Sequence, residues 1–175
     1  MTMNKIFNLP SIVIFLTTFT FIGNSLSESD KMIEVIMKNN EGKILGSISL
    51  FQKFSGVLFR IDLHSLPPGS HGFHVHEIGL CEDSFKTAGP HFNPEMNEHG
   101  FENSSGHAGA MVNIFAYANG EVKADIFNHK VNIMGSNENS ILGRSLIIHE
   151  DPDDYLSQPS GAAGARIACG QIKIP

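Results

Sequence analysis

Residues 31–64, KMIEVIMKNNEGKILGSISLFQKFSGVLFRIDLH, contain three short segments rich in Ile, Val, Leu and Phe. Apolar and polar side chains alternate through much of these segments, which is the pattern of a strand with one buried face. The turn-forming residues NNEGK, at positions 39–43, separate the first segment from the second. This stretch therefore predicts consecutive strands of an antiparallel sheet.

Similar segments recur along the rest of the chain. They are GFHVHEIG (72–79), MVNIFAYA (111–118), EVKADIFN (121–128) and RSLIIHE (144–150). No long apolar stripe with a 3.6-residue period accompanies them, so the sequence predicts an all-β domain, an eight-stranded antiparallel barrel or sandwich. Residues 79–109 and 150–165 fit no strand, and long ordered loops in compact domains are usually functional.

Composition and charge narrow the function classes. The chain has 175 residues, of which 41% are hydrophobic and 17% charged, as in a single globular domain. Its formal net charge is −6. An acidic surface argues against nucleic acid and anionic membranes as partners.

The N-terminal segment has the organisation of a secretory signal. Lys5 precedes an apolar run at residues 12–22, and the small residues Ser25 and Ser27 follow it. We expect a signal peptide at residues 1–27 and a mature domain at 28–175, located in the periplasm or secreted, with no membrane partner after cleavage. An uncleaved anchor is the alternative, although the run is short for a bilayer.

Cys81 and Cys169 are the two cysteines of the chain. In an exported protein, two cysteines favour a disulfide between them. Two free thiols or an intermolecular bridge remain as alternatives.

Histidines are concentrated where the predicted strands end and in one loop. His74 and His76 are two positions apart in GFHVHE, so they point to the same face of a strand. His91 follows in the next loop, and His149 ends the segment RSLIIHE. Imidazole suits copper and zinc, so this cluster predicts a metal site.

An ordered set of motifs carries a family resemblance. The set is GFHVHE, AGPHFNP, EHG, GHAG, GRSLIIHE, DDY and QPSGAAGARIACG, spread over residues 33–172. In this set the chain resembles the copper/zinc superoxide dismutases, in particular their exported bacterial branch. The resemblance implies a Greek-key β-barrel with two long loops, copper and zinc as cofactors, and conversion of superoxide to dioxygen and hydrogen peroxide.

The resemblance also implies roles for individual residues. Copper ligands would be His74, His76, His91 and His149, and zinc ligands His91, His99 and His107. His91 would bridge the two metals and carry a proton to the product. Asp153 would hydrogen-bond one histidine of each metal, His74 and His99. Arg166 would attract superoxide and be held by the loop that the Cys81–Cys169 disulfide tethers.

The chain departs from the family pattern at Ala110. The family has an Asp zinc ligand three residues after the last zinc histidine, and the methyl group of Ala110 cannot coordinate. Three outcomes stay open: a weakened three-histidine zinc site, a site that is usually empty, or closure by another carboxylate. The candidates for closure are Asp83, Glu98 and Glu102. The final loop also lacks the family's guiding lysines, and we expect Lys86 to take over steering.

Two other functions compete with the enzyme. A periplasmic copper-binding or storage protein would need the copper histidines but neither Arg166 nor Asp153, so the presence of both argues against it. A dismutase-like domain without efficient catalysis is supported by Ala110 alone.

The sequence leaves open whether the protein is a monomer or a homodimer. His71 matches a structural histidine of the family, and His64 and His129 match no ligand position.

Overall fold

A computed structural model describes residues 31–101, 106–135 and 137–173. The nine strands are β1 (Met32–Asn39), β2 (Ile44–Lys53), β3 (Gly56–Leu63), β4 (Gly69–His71), β5 (Phe73–His76), β6 (Ile114–Ala116), β7 (Val122–Asn128), β8 (Ser145–His149) and β9 (Arg166–Gln171). A single 3₁₀ turn, Lys86–Ala88, is the helical element of the described ranges, and no helix there is suited to crossing a membrane. The signal peptide predicted at 1–27 lies outside the described residues.

Seven strands form one antiparallel sheet in the order β5-β8-β9-β1-β2-β3-β7, and β4 pairs with β6. The sheet curls over its own core. β3 and β5 are far apart in the strand order, yet the rings of Phe59 and Phe73 pack edge to face with centroids 6.1 Å apart. Alternate side chains of β1 are buried, including Val35 and Met37, as the period of two predicts.

The all-β prediction is confirmed, but the number of strands differs from the expected eight. The expected strand GFHVHEIG is represented by β5, and an additional short strand, β4, lies directly before it; β4 pairs with β6 whereas β5 pairs with β8. The described part of the chain therefore contains nine strands where eight were expected. β9 was not recognised as a strand, because its Ala, Cys and Gly residues show no apolar–polar alternation.

Two long connections lie beside β5. The first follows β5 and is bonded back to it: Phe92 N–H donates to the Val75 carbonyl (2.8 Å), and Val75 N–H donates to the Gly109 carbonyl (2.9 Å). The second connects β8 to β9, and Gly72 N–H donates to the Asp151 carbonyl within it (2.9 Å). Both predicted functional loops are thereby fixed against one strand.

Candidate metal centre

Strand β5 presents His74 and His76 on one face, as the sequence predicted. β8 pairs with β5 and ends at His149, and the loop after β5 brings His91 opposite His76 in an isolated β-bridge. These four side chains are buried, and each offers a nitrogen within 4.8 Å of those of the others. We call His74, His76, His91 and His149 the four-histidine group.

A second group shares His91 with the first. His91, His99 and His107 are buried and likewise offer nitrogens within 4.8 Å of one another. We call them the three-histidine group. The six histidines therefore form two adjacent metal-ligand sets with one common member.

Hydrogen bonds leave free the nitrogens that a metal would need. Nδ1 of His76 donates to the Gly89 carbonyl (2.9 Å), which leaves Nε2 as a lone-pair donor, and that atom lies 3.4 Å from His149 Nε2. Nδ1 of His74, His99 and His107 is buried without a partner among the described residues, as are both nitrogens of His91. Buried polar atoms without partners are rare in proteins, so the set fits metal ions, and His91 fits two of them.

Asp153 connects the two groups. One oxygen of its carboxylate accepts from His74 Nε2 (2.8 Å) and the other from His99 Nε2 (2.9 Å). The Tyr155 N–H also donates to this carboxylate (2.7 Å). These bonds fix which nitrogen of each histidine carries hydrogen, so Nδ1 of both rings is left to coordinate.

The pKa values of the site follow from burial. Burial lowers the pKa of His76 to about 2 and that of His149 to about 3, from an ordinary value of 6.5, and it also lowers the pKa of His91. Burial raises the pKa of Asp153, but the hydrogen bonds from His74 and His99 outweigh it, and the net pKa is below 3.8. His76, His91 and His149 are therefore neutral, next to one ionised carboxylate.

Arg166 lies at the mouth of the four-histidine group and is held by the loop that follows β5. Its Nη1 donates to the Phe85 carbonyl (2.6 Å) and its Nη2 to the Gly89 carbonyl (2.6 Å). A disulfide between Cys81 and Cys169, as expected, joins this loop to β9. Among the described residues Nε–H and the second Nη2 hydrogen have no protein acceptor, so they are free to meet an anion.

A cavity of about 1170 Å³ gives access to the site. Its walls include His76, His91, His149 and Arg166, together with exposed Lys86. Glu77 and Glu98 also line it. The cavity therefore connects solvent to the histidines of both groups past two cationic side chains and two acidic ones.

Ala110 lies beside the three-histidine group and supplies no ligand. Its N–H donates to the His107 carbonyl (3.1 Å), and its backbone forms a β-bridge with His74. Glu98 and Asp83 are exposed and do not belong to the three-histidine group, and Glu102 lies outside the described residues. Within the described ranges no carboxylate completes this set.

The three remaining histidines are placed apart from the ligand sets. The two ring nitrogens of His71 face the carbonyls of His149 (2.8 Å) and Pro67 (2.7 Å). His64 is exposed and contacts the Ser65 hydroxyl, and His129 is exposed. None of the three belongs to either histidine group in the described part of the chain.

Two supporting residues were missed from the sequence. Asn113 accepts from the Asp153 N–H (2.8 Å) and donates to the Asp153 carbonyl (2.9 Å). The Gln158 side chain pairs with the backbone of His99 in the same way, at 2.8 Å for both bonds. Neither residue belongs to a local ligand pattern. Gln158 does begin one of the quoted family motifs, QPSGAAGARIACG, and that was the one available signal.

Comparisons with known proteins all give one family. The model of the family "Copper/zinc superoxide dismutase (SODC)" matches residues 44–172. "Superoxide dismutase [Cu-Zn] 2" of Aquifex aeolicus is 43% identical over 141 residues, which span 77% of this chain and 82% of that protein. "Superoxide dismutase [Cu-Zn]" of Caulobacter vibrioides is 38% identical over 145 residues, 79% of this chain and 83% of the other.

Solved structures give the same likeness. A SOD-like protein from Bacillus subtilis superposes with a TM-score of 0.75 at 40% identity, over 79% of this chain and 97% of the other. The Cu/Zn superoxide dismutase from Brucella abortus superposes with a TM-score of 0.68 at 31% identity, over 81% and 99%. The sequence likeness thus spans more than four fifths of these relatives, and the structural likeness spans nearly the whole length of the solved chains.

Proposed function

The chain belongs to the copper/zinc superoxide dismutase family, and we propose that it converts superoxide to dioxygen and hydrogen peroxide at the four-histidine group. The observation that carries the proposal is the shared His91: two ligand sets meet at one imidazole whose nitrogens are both buried and unpartnered within the described ranges. Copper fits the four-histidine group and zinc the three-histidine group. All proposed ligands come from one chain, so the assignment holds for a monomer or a homodimer.

Arg166 is proposed to bind and orient the substrate. Superoxide is a small anion, and the guanidinium has two hydrogens free of protein acceptors in the described structure. The cavity walls carry Arg166 and Lys86 next to His76, which supports approach of an anion to the open side of the four-histidine group. Copper in that group would supply one-electron oxidation of one superoxide and one-electron reduction of a second.

His91 is proposed as the proton carrier. Two protons are needed for each peroxide formed, and a ring nitrogen of His91 that is not bound to a metal can hold one of them. Burial lowers the pKa of the His91 imidazolium, so at neutral pH the ring carries a single N–H, and that is the proton it would donate. A positive ion at the far nitrogen lowers its basicity further, which makes the three-histidine group part of the proton step.

We also propose that the chain is exported and works in the periplasm or outside the cell. A cleaved signal at residues 1–27 and a mature domain at 28–175 would place it there. The Cys81–Cys169 disulfide supports an oxidising compartment. Superoxide formed outside the cytoplasm would then be the substrate, and no nucleic acid or membrane surface takes part.

One experiment tests the assignment. Copper and zinc per chain are measured together with superoxide removal, for the protein and for Ala110→Asp. We expect the parent to remove superoxide whenever the four-histidine group is loaded with copper. An inactive copper-loaded parent beside an active Ala110→Asp would refute competence of the natural site. Copper binding without activity in both proteins would favour copper storage instead.

A further inference from the structure

The three-histidine group offers one protein ligand fewer than the four-histidine group. It offers three nitrogens to an ion, and the structure brings no carboxylate to it within the described ranges. Zinc in proteins is almost always four-coordinate, and sites with three protein ligands keep the fourth position for water or another small ligand. His99 and His107 coordinate as neutral imidazoles, so a bound divalent ion keeps a net positive charge even when His91 bridges as an imidazolate.

We infer that this group holds its divalent ion with an open fourth position, and that a small anion from solvent fills that position through a cavity beside Ala110. The inference rests on the zinc assignment proposed above and is independent of superoxide chemistry. The ligand class is a small monoanion with an oxygen or nitrogen donor, such as a carboxylate or azide.

The cavity adjoins the three-histidine group at His107, next to Ala110, whereas His91 and His99 are not part of its wall. It measures about 420 Å³, and both His107 and Ala110 line it. A water molecule occupies about 30 Å³ of liquid, so a small anion fits there with part of its hydration shell. Ala110 adds only a methyl group to this wall, and its N–H is already bonded to the His107 carbonyl. Nothing at position 110 competes for the ion.

The charges around the cavity favour an anion. Lys130 lines it and donates from Nζ to the Gly106 carbonyl (2.7 Å), next to His107. Asp125, the acidic residue of the wall, is paired with Arg60 at 3.1 Å. A dication in the three-histidine group and the Lys130 ammonium therefore attract an anion from the same side.

The segment that forms the wall is anchored, so the opening is a fixed feature. Asn128 at the end of β7 donates to the Ala108 carbonyl (2.9 Å), and Gly109 is bonded to both Val75 and Phe92. A Cβ at Gly109 would lie 2.3 Å from the Val75 carbonyl oxygen, so the backbone approaches β5 closely there. Ala110 is held in place by these contacts of the two residues that precede it.

Cobalt(II) is the probe for the test, because its visible bands respond to a change of ligand. The protein is loaded with one copper and one cobalt per chain, and copper is kept as copper(I), which has no visible bands. Sodium azide and sodium acetate are then titrated in separately, with sodium perchlorate at equal ionic strength as the weakly coordinating control. We expect saturable spectral changes with one anion per cobalt and no change with perchlorate.

Two variants locate the open position. In Ala110→Asp we expect at least about tenfold weaker azide and acetate binding, because a protein carboxylate takes the place. In Ala110→Gly, which leaves the space open, we expect binding as in the parent. Bound cobalt whose bands ignore both anions, or an Ala110→Asp variant that titrates like the parent, overturns the inference. Failure of the three-histidine group to retain cobalt overturns the zinc assignment itself, which is a distinct result.

Discussion

His76 and Arg166 share one hydrogen-bond acceptor, the Gly89 carbonyl oxygen, which lies 2.9 Å from His76 Nδ1 and 2.6 Å from Arg166 Nη2. A proposed copper ligand and the proposed substrate-binding cation are thus positioned from the same backbone atom. Gly89 belongs to the loop that the Cys81–Cys169 disulfide ties to β9. Displacing this loop would shift both side chains together.

Replacing Arg166 should separate substrate binding from copper binding. In Arg166→Lys the charge is kept but the planar fork that spans two carbonyls is lost. We expect kcat/KM for superoxide to fall by about tenfold or more while copper per chain is unchanged. The measurement is superoxide removal by rapid mixing alongside metal analysis. Arg60→Lys, on the exposed face of β3, serves as the control, and equal rates for both variants and the parent would contradict the role of Arg166.

Removing the charge of Asp153 should weaken both metal sets at once. Asp153→Asn keeps the shape but offers one acceptor oxygen to two histidine donors, so His74 or His99 loses its partner. Such contacts typically change metal affinity by about 10- to 100-fold. Retention of copper and zinc against a competing chelator measures the effect.

Asp154→Asn is the matched control for that variant. Asp154 is the adjacent, exposed carboxylate, and it bonds the Ser157 backbone (2.8 Å). We expect its metal retention to match the parent. If Asp153→Asn also retains both metals like the parent, the bridging role is wrong.

Opening the disulfide should affect activity and stability together. In the chain-entropy model, a bridge across 88 residues stabilises the fold by about 4 to 5 kcal/mol. Cys81→Ala with Cys169→Ala should therefore unfold at lower denaturant concentration. It should also lower kcat/KM with copper still bound, because the carbonyls that hold Arg166 are released. A double variant that loses stability but keeps full activity would show that Arg166 is positioned without the disulfide.

Lys86 offers a test of electrostatic steering. It is exposed on the cavity wall, and a positive charge there attracts superoxide through solvent. Lys86→Gln should reduce kcat/KM several-fold at low salt and weaken its dependence on ionic strength, because screening acts on this attraction. Lys53→Gln, at the end of β2, is the control. An unchanged salt dependence in Lys86→Gln would exclude steering by Lys86.

Acid should destabilise the metal-free protein well before its carboxylates titrate. The pKa values of His76 and His149 fall to about 2 and about 3 in the folded state, whereas unfolded histidine titrates near 6.5. The unfolded chain therefore binds more protons below pH 6.5. Each of the two histidines then lowers the free energy of unfolding by about 1.4 kcal/mol per pH unit. The stability that depends on these two histidines being neutral is fully present above pH 6.5, and it declines as the pH falls from 6.5 toward 3.

The expected result is a fall in Tm of at least about 10 °C between pH 7 and pH 4.5, measured by circular dichroism on chelator-treated protein. The pKa of Asp153 is lowered below 3.8, so its own contribution persists throughout this range and does not confuse the result. His129→Gln, which changes an exposed histidine, should show the same profile as the parent. A Tm that stays level down to pH 4.5 would contradict the burial argument.

The fold class and the histidine pairing could be predicted because both are local patterns. Alternation in β1 and β2 marks their buried faces, and two residues of spacing put His74 and His76 on one side of β5. The restraints on Arg166 could not be predicted, since they come from backbone carbonyls of residues that are distant in sequence and of no special type. The same holds for β9, whose place between β8 and β1 depends on pairing partners rather than on its own composition.

The proposed metal ligands could be identified from side-chain type, whereas the surroundings of Ala110 required the structure. The sequence indicated that a ligand was missing there, but it gave no view of what replaces it. A cavity that joins Ala110 to His107 is formed by strand β7 and the loop before β6, two segments whose contact no local pattern encodes. The sequence therefore raised the question of the fourth ligand, and the fold supplied the location of the cavity beside Ala110.

The proposed copper and zinc ligands lie on different kinds of structural element. His74, His76 and His149 lie in paired strands of the main sheet, while His99 and His107 belong to a loop. A substitution among the first three puts an unsuited side chain into a buried ladder, so mutation there is penalised through folding as well as function. A substitution in the loop half leaves the ladder intact. A change at a proposed zinc-ligand position, such as Ala110 relative to the family pattern, is therefore compatible with an intact scaffold for the proposed copper ligands.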